Sequence, residues 1–226
     1  MAQWLSPTGH IDYSLGWISE ILAYNNNLLN CASYLVDHGN WTTFLGLTRA
    51  PTSCSKVRFY AGGEISDINT VDINVYYSGA WHPVYEGPFT HKTWIEKAIG
   101  STQIVTVFSF RFYNNSADEP GDALLCDVDF YGDTVVIPTV TTQDCTNVTN
   151  VSATGNGNIT DIGYANATIR GFCYMEGTSG NPTIANSNVY DTGSFGVGAY
   201  TKGITGLSPE TNYRVRAYAI NVAGIG

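Results

Sequence analysis

A chain of 226 residues is long enough for two domains of ordinary size, each with its own core. Charged residues make up only 13%, while Tyr numbers 15 and Gly 24 and both Thr and Asn are abundant, a composition that disfavours long helices and points to strands and turns. The formal charge of -9 is uneven: residues 1–137 carry 6 basic and 14 acidic side chains against 4 and 5 in 138–226, which argues against a nucleic-acid phosphate backbone as partner.

The first ten residues, Met-Ala-Gln-Trp-Leu-Ser-Pro-Thr-Gly-His, have neither a basic start nor an apolar run, and no segment approaches 18 continuous apolar residues. Neither an ordinary signal peptide nor membrane insertion is expected. Ala23-Tyr24-Asn25-Asn26-Asn27 reads as an early polar loop. Further on, Asp-His-Gly-Asn-Trp-Thr-Thr places Trp41, with His38 nearby, in polar surroundings. Strands follow from alternation: Lys56-Val-Arg-Phe-Tyr-Ala61, then Val71-Asp-Ile-Asn-Val-Tyr-Tyr77, with Ser78-Gly79 turning the chain toward Trp81 and Val84 in a hairpin. Trp94-Ile-Glu-Lys, a long strand from Ile104 to Tyr113, and Leu124–Gly132 complete the set. Arg-Phe-Tyr recurs at 58–60 and 111–113, but no internal repeat extends beyond it. Asp127 and Asp129, two apart on one strand, share a face and read as solvent-facing acids rather than a glycosidase pair on an edge without a cleft.

The order of these elements resembles the discoidin-like, or galactose-binding-like, jelly roll over about residues 1–135. The resemblance rests on the early loop, the core strand Lys56–Tyr60, the strand Asp72–Tyr77 before a Gly-Ala-Trp turn, and the closing strand Asp127–Gly132. The chain departs from the family at the early loop, where Asp-Gly-x-x-x-Thr-x-Trp is usual and this sequence has Asn residues and Cys31-Ala-Ser-Tyr34. The resemblance implies a calcium ion held by the early loop and an acid of the closing strand, here Asn25, Asn27, Asn30 and Asp127. The alternative is a loop of Asx-turns. It also implies ligand recognition by aromatics at one end of the sandwich, for which Trp41 with His38, Trp81 with His82, and Tyr34 are the candidates. Packing or subunit contacts are the alternative use of those rings.

Residues 207–213, Leu-Ser-Pro-Glu-Thr-Asn-Tyr, run into the alternating strand Tyr213, Val215, Ala217, Ala219. This pairing of a Pro turn with a tyrosine resembles the tyrosine corner of fibronectin type III domains, with Leu207 as core plug, Pro209 as turn and Tyr213 as ring. The resemblance covers about residues 138–226. It takes in a first strand near Pro138–Thr142, a turn at Ala153-Thr-Gly-Asn-Gly157 and a strand at Arg170–Tyr174. The last strand of such a domain is expected to be missing, so that either the sequence is a fragment of a longer protein or a neighbouring subunit supplies the strand at the open edge. The domain boundary is expected near Gly132–Pro138.

Five cysteines stand at 31, 54, 126, 145 and 173 without metal-ligand spacing. Cys31 with Cys54 and Cys145 with Cys173 are the pairings that stay within single domains and leave Cys126 over. Buried free thiols are the alternative. No nucleophile elbow, phosphate-cradling loop or dinucleotide fingerprint is present, so no catalysis is expected.

The expectation is therefore an all-β chain of two tandem β-sandwiches that acts as a self-assembling structural protein of a phage-like virion or extracellular appendage. Its partners would be copies of itself and other virion or appendage proteins, with a surface glycan as a further one. A glycan-gripping adhesin, extracellular or on a cell surface, and a non-catalytic module of a larger secreted enzyme are the other two classes. The step from sandwich to role is analogy.

Overall fold

The computed structural model describes residues 2–226 and divides the chain into two compact units, one up to Thr134 and the other from Val135 on. Both are β-sandwiches, and the only regular helix among the described residues is a short 3-10 segment, Glu20–Tyr24. Among the described residues, no helix is long and apolar enough to cross a membrane.

The first unit is a jelly-roll-like sandwich. Its strands are β1 (Gln3–Leu5), β2 (Gly9–Asp12), β3 (Ala32–Val36), β4 (Leu45–Gly63), β5 (Thr70–Tyr77), β6 (Ala80–Pro88), β7 (Trp94–Tyr113) and β8 (Gly121–Thr134). β4 and β7 are long enough to serve both layers, because register shifts at Thr48/Thr52 and Cys54/Lys56 bend them. On one side β2, the first part of β4, the second part of β7, β5 and β6 lie in that order. On the other, the second part of β4 pairs with β8, which carries β1 and β3. Between the layers the alternating Phe108, Phe110 and Phe112 of β7 meet the opposite strands, Phe108 against Phe130 at 4.7 Å between ring centres and Phe110 against Phe59 at 5.8 Å. All five rings are fully buried, so this aromatic stack supplies much of the apolar area that holds the layers together.

The second unit has two sheets, β13-β10-β9 and β12-β11-β14-β15. Its strands are β9 (Thr139–Thr146), β10 (Ser152–Asp161), β11 (Ala167–Glu176), β12 (Ser187–Phe195), β13 (Gly198–Thr205), β14 (Tyr213–Asn221) and β15 (Gly224–Ile225). This is the strand arrangement of a fibronectin type III-like sandwich, with Ile159, Phe172, Tyr200, Ile204 and Ala217 at its centre. The tyrosine corner forms: the Tyr213 hydroxyl accepts from Ser208 N at 3.1 Å and donates to Glu176 at 2.9 Å, and Leu207 packs on the core.

Three expectations are corrected here. The Ala153–Gly157 stretch is not a turn but part of β10. A Cβ on Gly155 would stand 2.8 Å from the Phe172 ring, and one on Gly157 would stand 2.9 Å from Ala217 Cβ, so these glycines serve the packing of the facing sheet. The last strand is not wholly missing: β15 pairs with β14, and Gly226 and Ala219 exchange backbone hydrogen bonds. Cys31 bonds to Cys126 rather than to Cys54, because β3 lies on β8 with Ala32 opposite Leu125, which sets Cys31 beside Cys126. Cys54, Cys145 and Cys173 are free. Cys173 alternates with the core residue Phe172 and so faces away from the core, where its thiol donates to Arg216 O; Cys145 lies on the other sheet.

Candidate functional site

On the outer face of the first layer, a cross-strand row of small residues makes a trough. Leu45, Leu47, Phe108, Phe110, Ile73 and Val75 all point into the core, so alternation sends Gly46, Ser109 and Asn74 outward. These three are register neighbours on β4, β7 and β5, and Pro83 of β6 continues the row. The flanking rows carry large side chains: Phe44, Arg111 and Asp72 on one side, Val107, Tyr76 and Trp81 on the other. The result is a cleft of about 750 Å³ lined by Tyr13, Phe44, Asp72, Asn74, Trp81 and Arg111, among others. Ser109 lies at its floor and is only 3% exposed, although it is on the outer face of the sheet.

Local sequence explains how the walls are held. Asp12 accepts from the backbone N–H of Ser14 and of Trp17 at 3.1 and 2.9 Å, an Asx-type turn that projects Tyr13, and Ser14 Oγ donates to Thr43 at 2.7 Å. The Tyr13 ring then lies over Gly46: a Cβ there would be 3.4 Å from Tyr13 Cε2. At the far end Ser78 and Gly79, both at positive φ (52 and 80), form the tight two-residue hairpin that starts β6. Trp81 follows it, 43% exposed and edge-on to Tyr76 at 5.4 Å.

The polar wall is an ion pair. Arg111 donates through Nε to Asp72 Oδ2 at 2.8 Å, Asn74 Nδ2 donates to Asp72 Oδ1 at 2.9 Å, and the guanidinium sits 4.6 Å from the rings of both Trp41 and Phe44. Charge in the lining therefore balances within the wall itself. Ser109 adds a hydroxyl side chain to the floor of the cleft.

Of the residues singled out from sequence, Trp81 lines the cleft and Trp41 supports it from behind Arg111. Trp41, which the sequence places in polar surroundings, is half-buried, bridging to Tyr113 with ring centres 5.2 Å apart. His38 is exposed on the preceding turn. Tyr34 is half-buried, edge-on to Trp17 at 5.6 Å. His82 alternates to the other face from Trp81 and stacks on Tyr77 at 3.8 Å. Sequence reading missed Tyr13, Phe44, Asp72, Asn74, Ser109 and Arg111; the only signal was the recurrent Arg-Phe-Tyr.

The Asn loop and Asp127 are brought together. Asn25 Oδ1 accepts from Asn27 N at 2.9 Å and Asn27 Oδ1 from Leu29 N at 3.0 Å, so the loop does form Asx-turns, while Asn30 N donates to Asn27 O. Asn26 N reaches the Asp127 carboxylate, which also accepts from Val128 N at 3.0 Å. Asp127 and Asp129 are not solvent-facing: they are 2% and 3% exposed. Asp129 is tied to Arg58 at 2.8 Å and to Ser6 Oγ at 2.8 Å. Burial, and then the neighbouring Asp129, push the Asp127 carboxyl up to about 6. The side-chain oxygens of Asn25 and Asn27 are taken up by the loop's own N–H groups, and Arg58 lies near enough to act on Asp127. Among the described residues no three or more His, Cys, Asp or Glu side chains converge as a metal cluster.

A second depression, of about 460 Å³, lies beside the tyrosine corner of the second unit, where Tyr213 is already spent on Ser208 and Glu176. It presents no exposed ring to a ligand.

No protein-family model matches the chain, and no curated protein matches it. Among solved structures, the C-terminal domain of a chitobiase from Bacteroides fragilis is 12% identical, over 59% of this chain and 100% of that one, with a TM-score of 0.46. An F5/8 type C domain from Bacteroides fragilis is 14% identical, over 58% and 98%, at 0.36. The FN1-FN3 domains of chicken CNTN1 are 14% identical, over 85% and 59%, at 0.32.

Proposed function

We propose that the first sandwich is a non-catalytic carbohydrate-binding module and that the cleft between Tyr13 and Trp81 is its binding site. The observation that carries this is the combination, in one trough, of an exposed tryptophan, a tyrosine held over a glycine, and a floor of small polar groups. Sugars need an apolar ring face to stack on and fixed polar groups for their hydroxyls. The lining offers no pair of free carboxylates, which glycoside hydrolysis requires, since Asp72 is held by Arg111 and Asn74. The disulfide Cys31–Cys126 supports an oxidising, extracellular or cell-surface setting. A calcium ion held by Asp127 and the Asn25, Asn27 and Asn30 loop would be structural, fixing that loop.

The virion role expected from sequence rested on the lack of an ordinary signal peptide and on an open end of the second sandwich. β15 pairs with β14 at that end, and no observation in the structure favours that role over an adhesin or an enzyme's accessory module. The test is a screen of the full chain against immobilised polysaccharides, alongside Trp81→Ala and Tyr13→Ala. Binding by the parent and its loss in both variants is the expected result. Undiminished binding in both would move the site elsewhere.

A further inference from the structure

We infer that the cleft takes an internal stretch of a neutral oligosaccharide, laid across the strands from Tyr13 to Trp81. This deepens the sugar-binding reading above and rests on it. The floor row runs over four neighbouring strands, Gly46, Ser109, Asn74 and Pro83, and three strand spacings make a trough about 14 Å long. That length suits several linked rings rather than one. Aromatic rings stand near its two ends, Tyr13 above Gly46 and Trp81 on β6, so that separate sugar units of one chain would meet them.

Neutrality follows from how the charges are spent. The lining holds one base and one acid, Arg111 and Asp72, and they are bonded to each other. The guanidinium is paired with Asp72 and lies 4.6 Å from the rings of Trp41 and Phe44, so the lining offers no unpaired cation to a uronate, sialate or sulfate. The surplus of acids in residues 1–137, 14 against 6, repels a polyanion further. What remains for a ligand is the Ser109 hydroxyl and the Asn74 side-chain oxygen, whose amide nitrogen is given to Asp72. These are partners for sugar hydroxyls.

The test is calorimetric titration of the full chain with gluco-, manno- and xylo-oligosaccharides of one, two, three and six units, and with galacturonate and hyaluronan oligosaccharides as acidic probes. At least one neutral series should bind, gaining about tenfold or more from one unit to three and little thereafter. Trp81→Ala, on the exposed rim, and Gly46→Val, which fills the floor, should each cost about tenfold or more, and binding should change little with added salt. Tightest binding to an acidic series, or a single unit binding as well as three, would overturn the inference. If that binding were still lost with Trp81→Ala, the sugar site would stand. Absence of any Trp81-dependent binding across all the series would overturn both.

Discussion

Arg111 and Asp72 face each other from β7 and β5 at 2.8 Å, and the pair is walled by Trp41 and Phe44. The opposite outer face repeats the device: Arg58 donates through Nε and Nη2 to Asp129 at 3.0 and 2.8 Å and lies 4.5 and 4.3 Å from the rings of Trp4 and Trp94. Only the first pair borders the cleft. Asp72→Ala is therefore expected to weaken sugar binding by about tenfold or more and to cost about 1–3 kcal/mol of stability, since it strands a partly buried guanidinium. Asp129→Ala should carry a similar stability cost with binding unchanged. Chemical denaturation and titration of both variants check this.

The glycines of β10 give a second prediction. Gly157→Ala puts a methyl group 2.9 Å from both Ala217 Cβ and the Tyr200 ring, and overpacking of that kind costs about 1–3 kcal/mol. Hydrogen exchange should show the loss in β10, β13 and β14 while the first unit keeps its protection. Gly203→Ala, on the neighbouring strand with open space around it, should cost little by comparison.

These two cases show what the sequence made legible. Alternation disclosed the strands, Ser78-Gly79 the hairpin, and Leu207-Ser-Pro209 with Tyr213 the corner, because each is set by residues close in the chain. The cleft was not legible, since its floor is assembled from positions 46, 74 and 109 by strand register, which no local pattern records. The Cys31–Cys126 bond was missed for the same reason: Cys54 was the partner expected within the same domain, while the pairing of β3 with β8 decided for Cys126. The Thr/Gly/Asn-rich run at 153–157 looked like a turn because its glycines answer to Phe172 and Ala217, residues of the facing sheet.

Cysteine chemistry provides a direct check. Non-reducing peptide mapping should recover Cys31 joined to Cys126, with Cys54, Cys145 and Cys173 alkylated only after unfolding or slowly. Burial pushes the Cys54 thiol up to about 11, so at pH 8 it is both covered and protonated. Half-buried Cys145 should react first in the native protein, faster as pH rises, because burial and Asp144 also raise its thiol.

Calcium should stabilise the first sandwich. Adding millimolar calcium to chelator-treated protein is expected to raise its melting transition, by an amount that grows with concentration as binding to the folded state alone requires. Asp127→Asn should abolish the rise. A rise that survives Asp127→Asn would place the ion away from the early loop.

Tyr200 sets an alkaline limit on the second sandwich. Its hydroxyl donates to Tyr218 O at 2.9 Å in the core, and burial pushes it up to about 12 from the usual 10. The unfolded chain therefore gives up this proton first. The stabilisation is whole below about pH 10 and is lost as pH rises toward 12, amounting to at most about 3 kcal/mol. Tyr200→Phe removes a buried hydrogen bond at a cost of about 1 kcal/mol at neutral pH, where the hydroxyl is un-ionised in both states. Between pH 10 and 12 the variant should lose stability less steeply than the parent. Denaturant midpoints measured across that range would show the two curves converging; parallel curves would mean that the tyrosine ionises while the domain stays folded.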